Sequence, residues 1–117
     1  MRQLGTNSDD NAYAAAPDGT GGVYLSGSTG GNLGGPNAGS GDAWLARCDD
    51  AGSLLWIRQF GTSMDDFALA VTPDGASGLY VGGWTYGSLG GPSAGGYDAW
   101  VARYDGSGNQ LWVRQLG

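Results

Sequence analysis

Histidine, lysine and glutamate are absent from the 117 residues, so all eleven acidic side chains are aspartates and all five basic ones are arginines. The side chains most often used as general bases, Schiff-base amines and zinc ligands are thereby missing. Catalysis loses its usual tools, and the chain is expected not to be an enzyme. A single cysteine, Cys48, excludes an internal disulfide and leaves the redox compartment unreadable. No apolar run is long enough to span a bilayer, and the first residues lack the charged-then-apolar layout of a signal peptide. A net charge of −6 with no basic stripe argues against nucleic acid and anionic membrane as partners.

What the chain has in abundance is glycine. The 25 glycines are about a fifth of all residues, roughly three times ordinary usage, yet 40% of residues are hydrophobic and five are tryptophan. That is too apolar for a disordered segment, and no Gly-X-Y period marks it as collagen. Glycines set among aromatic and β-branched residues point to short strands joined by tight turns. The length suits one ordinary domain.

The chain repeats itself. Residues 2–57 align with 58–113 without a gap, and about 31 of 56 aligned positions are identical. Residues 114–117 then begin a further copy. Gly5/Gly61, Asp9/Asp65, Pro17/Pro73, Asp42/Asp98 and Leu55/Leu111 keep step, and Leu4/Phe60, Val23/Leu79, Leu45/Val101 and Ile57/Val113 exchange one apolar residue for another. Cys48 stands where the second copy has Tyr104, which marks it as a packing position.

Each copy holds four strand candidates: 11–17, 22–29, 42–48 and 54–60 in the first, and 67–73, 78–85, 98–104 and 111–116 in the second. "PDG" has the residues of a type I turn between the first two, and "DDAGS" and "DGSGN" have the glycine that a short hairpin loop needs. The second and third strands are linked by long Gly-rich loops. Hydrophobicity is nearly continuous along those two strands, so both faces of each small sheet are expected to be covered. Four-stranded antiparallel sheets repeating at this period and stacked face to face are blades of a β-propeller. A helical solenoid would need a 3.6-residue stripe, and a sandwich would not explain the strict period. The fold expected is all-β, two propeller blades in one chain, with the ring incomplete.

The string "RQFGTxxDD", "PDGxxGxYVxGxT", "GxLGGPxAGxxDAWVARYD" closely resembles the bacterial SBBP, or seven-bladed β-propeller, repeat, and the resemblance covers essentially the whole chain. It implies one blade per repeat and parent proteins that are often exported or surface-attached, hence an extracellular or cell-surface location. It brings no reaction and no ligand site. Two blades alone would leave two blade faces bare, so copies of the same chain or further blades are the expected partners. The tetrad RQLG at 2–5, RQFG at 58–61 and RQLG at 114–117 reads as the seam where one fourth strand ends and the next blade begins. The expected role is a noncatalytic scaffold or protein-interaction module.

In a propeller the loops after the fourth and second strands emerge together. That would set Asp9, Asp10, Asp65 and Asp66 near Trp84, Tyr86, Asn37 and Tyr97. Such a rim could bind a glycan by hydrogen bonds and ring stacking, or a hard cation through oxygen, so a carbohydrate-binding propeller is the alternative function and calcium the one conceivable ion; otherwise no cofactor is expected. The plainer reading is that these aspartates accept backbone N–H bonds in turns. Asp42 and Asp98 are read as buried acceptors fixing a sheet edge, and Trp44, Trp56, Trp100 and Trp112 as packing residues. Trp84 differs because its counterpart is Ser28. The arginines are expected to pair with aspartates or lie along apolar surface. Adjacent aspartates on an extended segment point to opposite faces and make no glycosidase dyad. The "DGSGN" rhythm is a hairpin turn, not a calcium loop, since no bidentate glutamate follows. The Gly-rich loops lack the Lys-Ser/Thr of a phosphate loop.

Overall fold

The structure, a computed structural model, describes residues 3–117. Eight strands follow one another: β1 (Asp10–Pro17), β2 (Val23–Thr29), β3 (Asp42–Cys48), β4 (Leu54–Phe60), β5 (Asp66–Pro73), β6 (Leu79–Thr85), β7 (Asp98–Tyr104) and β8 (Gln110–Leu116). They form two four-stranded antiparallel sheets, β1-β2-β3-β4 and β5-β6-β7-β8, with every strand beside its neighbour in sequence. No helix occurs among the described residues. The strand positions read from turn chemistry agree with those observed to within a residue or two.

The repeat extends to the irregularities of the ladders. Both first hairpins slip register at the same place, between Ala12 and Ala14 and between Ala68 and Ala70. The extra residues, Tyr13 and Leu69, are left exposed. Each loop after the first strand is tied by its aspartate: Asp18 Oδ1 accepts the N–H groups of Thr20 and Gly22, and Asp74 Oδ1 those of Ala76 and Gly78. Arg47 from β3 then donates to Asp18 at 2.9 Å, and Arg103 from β7 to Asp74 at 3.1 Å. Two of the arginines thus pair with aspartate as composition requires; Arg58 and Arg114 instead lie over the rings of Trp56 and Trp112.

Glutamine holds the long loops. Gln59 Oε1 accepts the N–H groups of Leu33 and Gly34, while its Nε2 donates to Gly31 O and Asp42 Oδ2. Gln115 makes the same four contacts with Leu89, Gly90, Gly87 and Asp98. A loop with so few side chains of its own needs such a brace, because its backbone groups otherwise have only water.

Strand register decides which residues pack. The pairs Tyr24↔Arg47, Ala43↔Phe60 and Arg47↔Trp56 place these side chains on one face of the first sheet. Against that face lie Leu79, Val81, Trp100, Ala102 and Tyr104 of the second sheet, so the core sits between the sheets. Burying each large side chain there is worth roughly 1.5–3 kcal/mol. β5 is the strand of the second sheet that crosses β1, β2 and β3. Trp56 and Trp100 join this core as expected of packing residues, and Trp44 and Cys48 are buried on the opposite face of β3.

One expectation needs correction. β3 is buried along nearly its whole length, but its counterpart β7 alternates, with Ala99 exposed and Val101 and Arg103 half-buried. Continuous hydrophobicity predicted cover on both faces of both sheets. The far face of the second sheet is open, which is the bare face expected when two such sheets have only each other to pack on.

Candidate functional site at the loop rim

Each sheet is entered through Gly-Thr-x-x-Asp-Asp, and the two aspartates part company. The second turns inward: Asp66 accepts Thr62 N–H at 2.7 Å and the hydroxyls of Thr62 and Thr85, and Asp10 repeats this with Thr6 and Thr29. The first turns outward. Asp9 is exposed, and Asp65 is half-buried with Oδ1 accepting Gly41 N–H at 3.2 Å. Extended backbone sends neighbours to opposite sides, which is why one carboxylate ties the turn while the other faces the rim.

The two inward carboxylates differ in charge behaviour. Burial works against the charge on Asp10, but bonds from Thr29 and Thr6 outweigh it and its pKa falls. On Asp66, fully buried where the second sheet meets the first, burial prevails over the bonds from Thr62 and Thr85, and the carboxylate of Asp42 adds to it, so its pKa rises. Asp42 itself is fully buried, with Oδ2 taking Ala38 N–H and Gln59 and Oδ1 left without a donor.

The expected meeting of loops is present. Gly41 O accepts Asp66 N–H at 2.8 Å, and Asp65 O accepts Tyr86 N–H at 3.0 Å. Trp84, Tyr86 and Tyr97 come together: Tyr97 stacks on Tyr86 with ring centroids 3.5 Å apart and meets Trp84 edge-on. Phe67, at 4.4 Å from Trp84, extends the cluster to Tyr13 of the first sheet, 6.3 Å beyond it. Bonding to the Tyr86 hydroxyl, helped by lost hydration and the charge of Asp65, pushes the Tyr97 phenol up to about 12. Tyr97 is nearly half exposed, so the group faces solvent.

Sequence reading missed Phe67, although the repeat contained the signal. Phe67, Trp84, Tyr86 and Tyr97 replace Asn11, Ser28, Gly30 and Gly41, four aromatic rings where the first copy has none. The corresponding end of the first sheet is instead a polar cavity of about 580 Å³, lined by residues including Thr6, Asn7, Ser8, Asn32 and Asn37. Asp9 and Asp10 belong to the entry of the first sheet, and Asp66 is fully buried. Asp65 is the carboxylate whose charge acts on Tyr97. Among the described residues no three Asp or Cys side chains converge on a point that could hold a metal ion.

Aromatic faces, phenol hydroxyls and one carboxylate can grip a flat, hydroxylated ligand: rings stack on its apolar face, and oxygens accept and donate at its edge. No known protein family matches the chain, and no curated protein is similar to it.

Proposed function

We propose that the two sheets are consecutive blades of a β-propeller and that the chain is a noncatalytic scaffold or interaction module, completed by copies of itself or by further blades. One observation carries this reading: the first sheet is covered by the second, whereas the same face of the second sheet is open and bears the same residue types. Trp112, Arg114 and Leu116 stand there where Trp56, Arg58 and Phe60 stand in the covered interface. A face built from an internal contact surface requires a like partner. The resemblance to SBBP repeats supports an exported or surface-attached setting. The deciding measurement is absolute mass in solution by light scattering. Assemblies of a few copies support closure by self-association, and a monomer at every accessible concentration rejects it.

A second reading, a carbohydrate-binding module, is favoured by the aromatic cluster confined to the second repeat. It predicts glycan-array binding that Trp84→Ala and Tyr86→Ala each abolish; a binder indifferent to both substitutions rejects it.

A further inference from the structure

Gly61 touches both sheets. A Cβ placed on it would lie 2.5 Å from Asp42 Oδ1 and 2.7 Å from Asp66 Oδ2. Its two counterparts each keep half of that contact: Gly117 lies against Asp98, the equivalent of Asp42, and Gly5 lies against Asp10, the equivalent of Asp66. Residues 60, 4 and 116 divide the same way. Phe60 packs on Trp100 and Tyr104 of the second sheet. Leu4 shares a cavity with Trp44 and Leu25 of the first, and Leu116 is 62% exposed.

The grip between the sheets is polar as well. Arg47 Nη1 and Trp56 Nε1 both donate to Gly106 O, at 2.7 and 2.9 Å, and Arg58 donates to Ser107 O and Gly108 O. The turn they hold, 105–109, is shaped by Asp105, whose Oδ1 accepts the N–H groups of Ser107 and Asn109. On the second sheet Arg103, Trp112 and Arg114 form the same seat. Arg103 is braced by Asp74 as Arg47 is by Asp18, and its side chain is 36% exposed against 19%. The turn that would match this seat is 49–53 of the first sheet. Asp49 Oδ1 accepts the N–H groups of Ala51 and Ser53, so that turn already has the shape of the docked one. It also carries Asp49 and Asp50 toward two arginines, a complementary pairing of charge.

We propose that the open face of the second sheet binds the first sheet of a second copy of this chain, with Arg103, Trp112 and Arg114 taking its 49–53 turn, and that residues 3–5 of the incoming copy are displaced as Leu116 and Gly117 take their place. The proposal rests on the propeller reading above and names its partner and its switch. Displacement falls on 3–5 because Leu116 already pairs with Ala99 in the β7–β8 ladder, whereas 3–5 belong to no strand. A segment seated where the partner must bind lowers apparent affinity by the fraction of time it stays there.

The test is sedimentation velocity on the full chain across a concentration series, with circular dichroism to show that each variant is folded. Arg114→Ser and Leu116→Arg change exposed side chains, and each is expected to weaken self-association by about tenfold or more. Removing residues 1–5 is expected to strengthen it by about tenfold. Association that Arg114→Ser and Leu116→Arg leave unchanged overturns the seat while the self-association reading stands. Association weakened by the truncation overturns the displacement. A chain that is monomeric both intact and truncated overturns this inference and the self-association reading together.

Discussion

Phe60 meets Trp100 edge to face, with ring centroids 5.5 Å apart and planes at 83°. The first is the last residue of β4 and the second lies mid-strand in β7, so this single pair joins the end of one sheet to the middle of the next. Phe60→Ala is expected to cost about 2–4 kcal/mol, because it removes both the ring contact and the contact with Tyr104. Leu116→Ala, at the equivalent but exposed place, should change monomer stability by less than about 0.5 kcal/mol. Urea unfolding of the two variants checks the contrast; equal effects would mean that the sheets do not pack through this pair.

Gly83 lets β5 and β6 approach. A Cβ there would run into Phe67 O, a backbone atom that cannot swing aside. Gly83→Ala is therefore expected to destabilise by about 3 kcal/mol or more, and Gly27→Ala, facing Asn11 O, by a similar amount. Thermal melts of both variants test this, and a loss below about 1 kcal/mol would contradict the described approach.

Ser77 occupies the left-handed region with φ of 76°, where the first repeat has Gly21 at φ 95°. A side chain there costs roughly 1 kcal/mol. Ser77→Gly should recover about that amount, read as a higher midpoint in urea at unchanged slope, and a lower midpoint would refute the assignment.

Acid should unfold the protein through its turn aspartates. The Thr20 N–H is the main cause that holds Asp18 at about 2, against the effect of burial and with help from Arg47; bonds from the Ala76 and Asn109 N–H groups lead the lowering of Asp74 and Asp105. Depressed folded-state values mean that these groups stabilise the fold above about pH 4, and that the gain disappears as pH falls toward about 2. Asp66 has the opposite sign: its raised pKa favours the fold while it is protonated, and that contribution disappears as pH climbs through the raised value. Melting temperature against pH should fall steeply in acid for the wild type and less steeply for Asp18→Asn. Asp66→Asn should flatten the curve on the other side, and an unchanged profile for both would reject the assignment.

Tyr97 should ionise late. Absorbance near the phenolate band is expected to show one tyrosine titrating at about 12, and Tyr86→Phe to return it toward the ordinary range by removing the hydrogen-bond partner. A Tyr97 that titrates normally in the wild type would mean that the rim cluster is not assembled in solution.

The strands, their order and most of the turns were legible in the chain itself. The two copies vouch for one another, and local chemistry such as Asp18 or Asp105 folding back on its own turn acts within five residues. The rim was half legible. Trp84 stood out against Ser28, but Phe67 did not, since a phenylalanine in a strand reads as core until its face is known. The expectation, from pattern alone, of cover on both faces of each sheet has the same origin: hydrophobic pattern reports what a strand can bury, not what is present to bury it, whereas the expectation that two such units alone leave a face bare agrees with the second sheet.

By itself, then, the sequence determined a twofold-repeated set of antiparallel hairpins and the aspartates that fold back on their own turns, because those contacts depend on nearby residues and strand period; the bracing of the long loops by Gln59 and Gln115, from more than twenty residues away, became visible only in the fold. Only the tertiary structure decided that Asp66 is enclosed while Asp10 is held by its bonds, that Tyr97 stacks on Tyr86, and that one face of Trp112 and Arg114 waits uncovered. The enclosure of Asp66 and the open face depend on how one sheet is laid against another, and the ring stack depends on how a long loop folds back on itself. Burial and charge there depend on which element is opposite, and two related repeats acquire different surroundings as soon as one has a neighbour that the other lacks.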